Sequence, residues 1–247
     1  MRRSTVLASV VGLACITPQA LSDILDLGLW RSLSARSSLQ PPSGPVIQDI
    51  ESIYLPEYGP FSVMDLSYDS MVEFDMPAGL GESSSFHQSS LVSGLITGRG
   101  GGTAYASTSA NMRVQSSAGA GLVYGFSLSQ ATPAVLSGSI SLDAAGFDPA
   151  LSVGTADAYL YRIVNGQAEY ALQLSLMNVD DSRQFMLSTI LPEGEYRLGI
   201  SSLVALTADA PADSGDASGS WNVTLALPSP GGVALLLPLA LARVRRR

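Results

Sequence analysis

Lysine is absent from this chain of 247 residues, histidine occurs once, as His87, and cysteine once, as Cys15. Each scarcity excludes a class of chemistry. A structural zinc site takes four nitrogen or sulfur ligands, so zinc would be left with carboxylates alone. Cys15 lies in an apolar N-terminal stretch, and the chain beyond it has neither disulfide nor thiol chemistry. A nucleophilic triad needs a base held by an acid and aimed at a nucleophile. His87 stands instead in the serine-rich stretch 83–90, and no G-x-S-x-G elbow is present. It reads as an ordinary polar residue.

All 13 basic residues are arginine, and six of them (Arg2, Arg3, Arg243, Arg245, Arg246 and Arg247) lie at the two ends. All 21 acids lie between, so residues 23–230 carry 7 − 21 = −14. Such a surface repels a polyanion and argues against nucleic acid as a partner. The same acidity favours solubility and attracts divalent cations.

At the N-terminus, Arg2 and Arg3 precede an apolar run from Thr5 to Ile16, and Ala20 and Ser22 supply the small residues that signal peptidase inspects. The pattern predicts a signal peptide over 1–22 and a mature chain beginning near Asp23. Arg2-Arg3 also opens a twin-arginine reading, against which Thr5 stands where that signal takes an apolar residue. Cys15 opens a lipoprotein reading, against which Gly12 stands where leucine is usual.

At the C-terminus, Pro228-Ser229-Pro230 precedes an uncharged run from Gly231 to Ala242, closed by Arg243, Arg245, Arg246 and Arg247. As a helix that run would rise about 18 Å, short of the roughly 30 Å of a bilayer core, and Pro238 interrupts it. The arginines mark the cytoplasmic side under the positive-inside rule. Proline-x-proline, a short apolar segment and a terminal arginine cluster resemble the PEP-CTERM sorting signal of bacterial exosortase substrates. The resemblance covers residues 228–247, with Ser229 where the motif has Glu. It implies an exported protein sorted by an exosortase-like membrane protease, held in the membrane through its C-terminal segment, at the cell surface or in an extracellular matrix.

Between the ends, residues 23–45 read as a leader. Leu25, Leu29 and Leu33 fall four apart, predicting a short amphipathic helix that ends in the linker Pro41-Pro42-Ser43-Gly44-Pro45. From Val46 the period is two. Leu122, Tyr124, Phe126 and Leu128 alternate with smaller residues, as do Leu136, Ile140 and Leu142, then Tyr196, Leu198 and Ile200, then Trp221, Val223, Leu225 and Leu227. Asn165-Gly166 predicts a two-residue type I′ hairpin turn. Pairing outward sets Arg162 opposite Glu169 and Tyr161 opposite Tyr170, and places Tyr159, Tyr161, Ile163, Tyr170, Leu172 and Leu174 on the core face. The small inward residues Ala104, Ala106, Thr108 and Ala110 predict a strand at a tight sheet-to-sheet contact or a weak edge, and stretches 83–90 and 98–102 read as loops. About ten strands over 46–227, with no helix among them, predict an all-β antiparallel β-sandwich of jelly-roll type.

Carboxylates are the remaining candidates for a site. Asp209, Asp213 and Asp216 precede the last strand, and Asp180-Asp181 follow the hairpin. Calcium accepts six to eight oxygens in loose geometry, so the 209–216 loop is a weak calcium candidate against the ordinary use of Asp in turns. No pair is selected for glycoside hydrolysis. The expectation is a non-enzymatic exported surface or matrix protein without cofactor. The alternatives are a module binding extracellular polysaccharide, which needs an exposed aromatic platform on one sheet face, and a secreted hydrolase, which needs acids converging in a cleft.

Overall fold

In a computed structural model, the structure describes residues 24–57, 63–76, 79–92, 94–109, 111–143, 152–211 and 213–227. The candidate signal-peptide residues Ala20 and Ser22, the sorting-signal residues from Pro228 to Arg247, and Ala110 lie outside them. The described chain forms twelve strands and no helix: β1 Ile24–Gln40, β2 Ile47–Glu57, β3 Val63–Met76, β4 Gly79–Val92, β5 Leu95–Thr108, β6 Arg113–Leu128, β7 Thr132–Asp143, β8 Ser152–Val164, β9 Gln167–Met177, β10 Asp181–Leu191, β11 Gly194–Ala208 and β12 Ser214–Ala226.

Two six-stranded antiparallel sheets pack face to face, the first in the order β2-β1-β6-β11-β8-β9 and the second β10-β7-β12-β5-β4-β3. The last eight strands are nested about one hairpin. β8 pairs with β9, β7 with β10, β6 with β11 and β5 with β12, successive shells alternating between the sheets. The first four strands widen both sheets, β1 beside β6 and β4 beside β5.

Alternation gives the core where only one face is apolar. Leu122, Tyr124, Phe126, Tyr196, Leu198, Trp221, Val223 and Leu225 are all buried between the sheets. Tyr124, Phe126 and Tyr196 stack in series with ring centroids 5.3 Å apart. Burial, and then the hydrogen bond donated to Asp26, raise the Tyr124 phenol well above its ordinary range. Elsewhere the interior is thin and built from small residues. Ala104, Ala106 and Thr108 are buried as expected, but β5 is an inner strand of its sheet. A Cβ at Gly102 would stand 2.7 Å from that of Ala118 across the gap. This is the tight sheet-to-sheet contact, not the edge.

Four sequence expectations are corrected. Residues 24–40 form β1, an inner strand paired to β2 and β6, so they belong to the body and not to a helical leader. Four-residue spacing fits a helix and is also an even multiple of the strand period, so the leucines could not discriminate. A register shift between Asp26 and Gly28 then turns Leu25 outward while Leu29 and Leu33 face in. Stretch 83–90 is no loop but the middle of β4, with Ser83, Ser85, His87 and Ser89 buried. Residues 98–102 lie in β5, where the missing side chains make room for the Trp221 indole. A Cβ at Gly100 would lie 2.6 Å from its Cζ2.

The fourth correction concerns the tyrosines. The hairpin register is as expected, with Asn165 at φ 51° and Gly166 at φ 78°, Arg162 opposite Glu169 and Tyr161 opposite Tyr170. Its orientation is not. Both faces of β8 are apolar, and the thin core takes Ala156, Ala158 and Leu160, leaving Tyr159 and Tyr161 on the outside. A bulge between Leu160 and Tyr161 inserts Ala171 into the partner strand. Tyr170 therefore faces out at 52% exposure while Leu172 and Leu174 pack against the core. A bulge inverts the side-chain parity beyond it.

Candidate functional site

Turning the tyrosines outward gives the first sheet an aromatic outer face. Its central row runs across four strands: Trp30 on β1 opposite Val123 on β6, Val123 opposite Gly199 on β11, and Gly199 opposite Tyr159 on β8. At about 4.8 Å per strand, the Trp30 and Tyr159 backbones stand roughly 14 Å apart. Gly199 lets the Tyr159 ring lie down on the sheet, since a Cβ there would collide with the ring. Gly121, in the neighbouring row, lowers the floor beside it. The result is a shallow depression of about 290 Å³ rimmed by Trp30, Val123, Tyr159, Arg197 and Ser201.

The aromatic surface continues beyond the depression. Tyr161 lies 5.7 Å from Tyr159 between centroids, tilted by 32°, and Tyr170 lies 5.4 Å from Tyr161. Burial raises the Tyr159 phenol, and the neighbouring tyrosines add to the shift. Arg197, opposite Tyr161, and Asp157, two residues before Tyr159 on β8, act on it with opposite sign. Arg197 is exposed and Asp157 half-buried, and neither engages a described residue in a hydrogen bond or an ion pair. One free donor and one free acceptor thus flank an aromatic ring whose lower face rests on glycine.

The outer face of the second sheet differs in that many of its polar side chains are paired with one another. Ser84 shares a 2.7 Å hydrogen bond with Thr103 and Ser141 another with Ser220, Arg99 donates to Gln88 at 2.9 Å, and Asn222 donates to Ser139 at 2.6 Å. A ligand there would have to break these pairs.

His87 is inside the sandwich. Its ring meets Trp221 edge-on, and neither nitrogen has a hydrogen-bond partner. Burial, and then the buried Arg31 guanidinium, lower its pKa to about 4. The Ser32 backbone pulls weakly the other way from outside hydrogen-bond geometry. Arg31 donates to Ser89 at 2.8 Å. A neutral imidazole walled in by indole is placed to pack, not to activate a nucleophile.

The acidic loop is organised by its own backbone. The Asp213 carboxylate accepts from the Ala210 N–H at 2.8 Å and the Asp209 N–H at 3.3 Å, an ordinary turn. Asp216 projects outward from β12 opposite Tyr105. Asp181 accepts from the Arg183 guanidinium and the Ser182 N–H, which hold it below the usual carboxylate range. Among the described residues no three His, Cys, Asp or Glu side chains are gathered as metal ligands.

The sequence named the three tyrosines but assigned them inward, and it missed Trp30 and Arg197. Only strand order could reveal them, because the row is assembled from β1, β6, β11 and β8. No protein family and no curated protein matches the chain. Among solved structures, one of the infectious bursal disease virus Gt strain is similar at 9% identity, covering 90% of this chain and 75% of that chain, with a TM-score of 0.15. That likeness is too slight to carry any argument.

Proposed function

We propose that this is an exported, non-enzymatic protein of the cell surface or extracellular matrix that binds polysaccharide on the outer face of its first sheet. The observation that carries the reading is Tyr159 laid flat on Gly199, with Trp30 across the same depression. A sugar ring has an apolar face of C–H groups, which suits the negative face of an aromatic ring, and hydroxyls at its rim, which need donors and acceptors at the edge of the platform. The row is long enough to underlie several sugar rings. The fold is read as a jelly roll with four added strands. The orders β10-β7-β12-β5 and β6-β11-β8-β9, nested about the β8–β9 hairpin, support it.

Export and retention rest on the two ends: the signal-peptide pattern before Asp23 and the sorting-signal resemblance of 228–247. Co-sedimentation of the purified full-length chain with insoluble polysaccharides tests the binding. The wild type is retained in the pellet, and Trp30→Ala and Tyr159→Ala reduce retention. Equal retention of all three would refute the assignment of the face. Cell fractionation tests the address. Deleting 228–247 moves the protein from the envelope to the medium, and a truncated protein still bound to cells would place retention in the body.

A further inference from the structure

The charges around the aromatic row point to the class of glycan. We infer that the face selects a neutral polysaccharide over a uronate-containing or sulfated one, an inference that rests on the binding role just proposed. Two observations carry it. The body has a charge of −14, so a polyanionic chain approaches against the field of the whole protein. At the face itself the strand register sets Arg197 opposite Tyr161 and Asp157 two residues before Tyr159 on β8, so that the two charges bracket the Tyr159 ring. A site for a carboxylate-bearing sugar would cluster cations, whereas here the guanidinium beside Tyr159 is balanced by a carboxylate.

An arginine and an aspartate free of other partners, one on each side of the ring, suit hydroxyls on opposite edges of one sugar. The guanidinium donates to one oxygen, and the carboxylate accepts a proton from another. Such charge-assisted hydrogen bonds are stronger than neutral ones, and they fix the sugar that stacks on Tyr159. Trp30, three strands away, has Ser32 beside it on its own strand and no charged group opposite it in its row. It therefore supplies stacking area, while orientation is set at the Tyr159 end.

The test is affinity electrophoresis of the full-length chain in gels containing a neutral glucan or galactan, or polygalacturonate, at low and high salt. The expected result is retardation by a neutral polymer, insensitive to salt, and weaker by about tenfold in both Arg197→Gln and Asp157→Asn, as loss of a charge-assisted hydrogen bond implies. Both side chains lie on the outer face, so thermal midpoints of the variants serve as the folding control. Preferential retardation by polygalacturonate, screened by salt and strengthened by Asp157→Asn, would overturn the selectivity and leave the aromatic face as a binding site. Neutral-polymer binding unchanged in both variants would overturn the roles of Arg197 and Asp157. No retardation by any polymer would overturn the polysaccharide reading itself.

Discussion

Trp221 lies across Gly100 to meet the edge of His87, with ring centroids 5.3 Å apart and ring planes at 86°. The three residues are neighbours in one row across β4, β5 and β12, and the indole N–H is fixed to the Ala120 carbonyl of the other sheet at 3.0 Å. One bulky ring thus fills the space that the glycines and serines of β4 and β5 leave open in the core. It also leaves the histidine without a partner for a proton.

Acid stability follows from that arrangement. His87 has a pKa of about 4 in the folded chain against the usual 6.5 of a histidine, so the unfolded chain takes up the proton first as the pH falls. The contribution is intact above about pH 6.5 and is lost between there and about pH 4, amounting to roughly 3 kcal/mol. Carboxylates titrate at the low end of the same window, so the informative quantity is the difference between wild type and His87→Leu. Urea unfolding at pH 7 and pH 4.5 should show a smaller acid loss in the variant. An equal loss in both would mean that His87 is solvated or paired in the native state.

At the β8–β9 hairpin, nothing crowds Gly166, yet its φ of 78° is one that a β-branched residue rarely adopts. Gly166→Val should cost about 1–3 kcal/mol through backbone strain alone, with a matching fall in thermal midpoint. An unchanged midpoint would place this hairpin outside the cooperative unit.

This hairpin shows what was legible in the sequence. Asn-Gly fixed the register, because a two-residue turn permits one pairing. The strands with one apolar face, β6, β7, β11 and β12, gave their core residues directly. Strand β8 did not, since Tyr159 and Tyr161 outweigh Ala156 and Ala158 in hydrophobicity, and the thinness of the space that chose the alanines is a property of the opposite sheet. Strand β4 and the first half of β5 were hidden for the same reason: a core of Ser83, Ser85, Gly98 and Gly100 carries no apolar signal. The candidate site was misread at β8, where the alanine face was taken for the outside, and the bulge at Ala171 then set Tyr170 on the opposite face from Leu172 and Leu174.

Calcium should not stabilise the fold specifically. Both backbone N–H groups of the 209–210 turn already use the Asp213 carboxylate, so Asp213→Ala should cost about 1 kcal/mol, equally with calcium or with chelator. Millimolar calcium should raise the wild-type midpoint no more than magnesium does at equal ionic strength, through screening of the −14 body. A calcium-specific rise lost in Asp213→Ala or Asp216→Ala would make the loop a metal site.

The chain has two tryptophans, and they report on opposite faces of the first sheet: Trp221 is 2% exposed in the core beneath it, and Trp30 stands half-exposed on the proposed binding face. Fluorescence titration with a neutral oligosaccharide therefore tests the central claim most directly. The account predicts a saturable blue shift that survives Trp221→Phe and disappears in Trp30→Phe. No saturable change in wild type, or one that persists without Trp30, would contradict it.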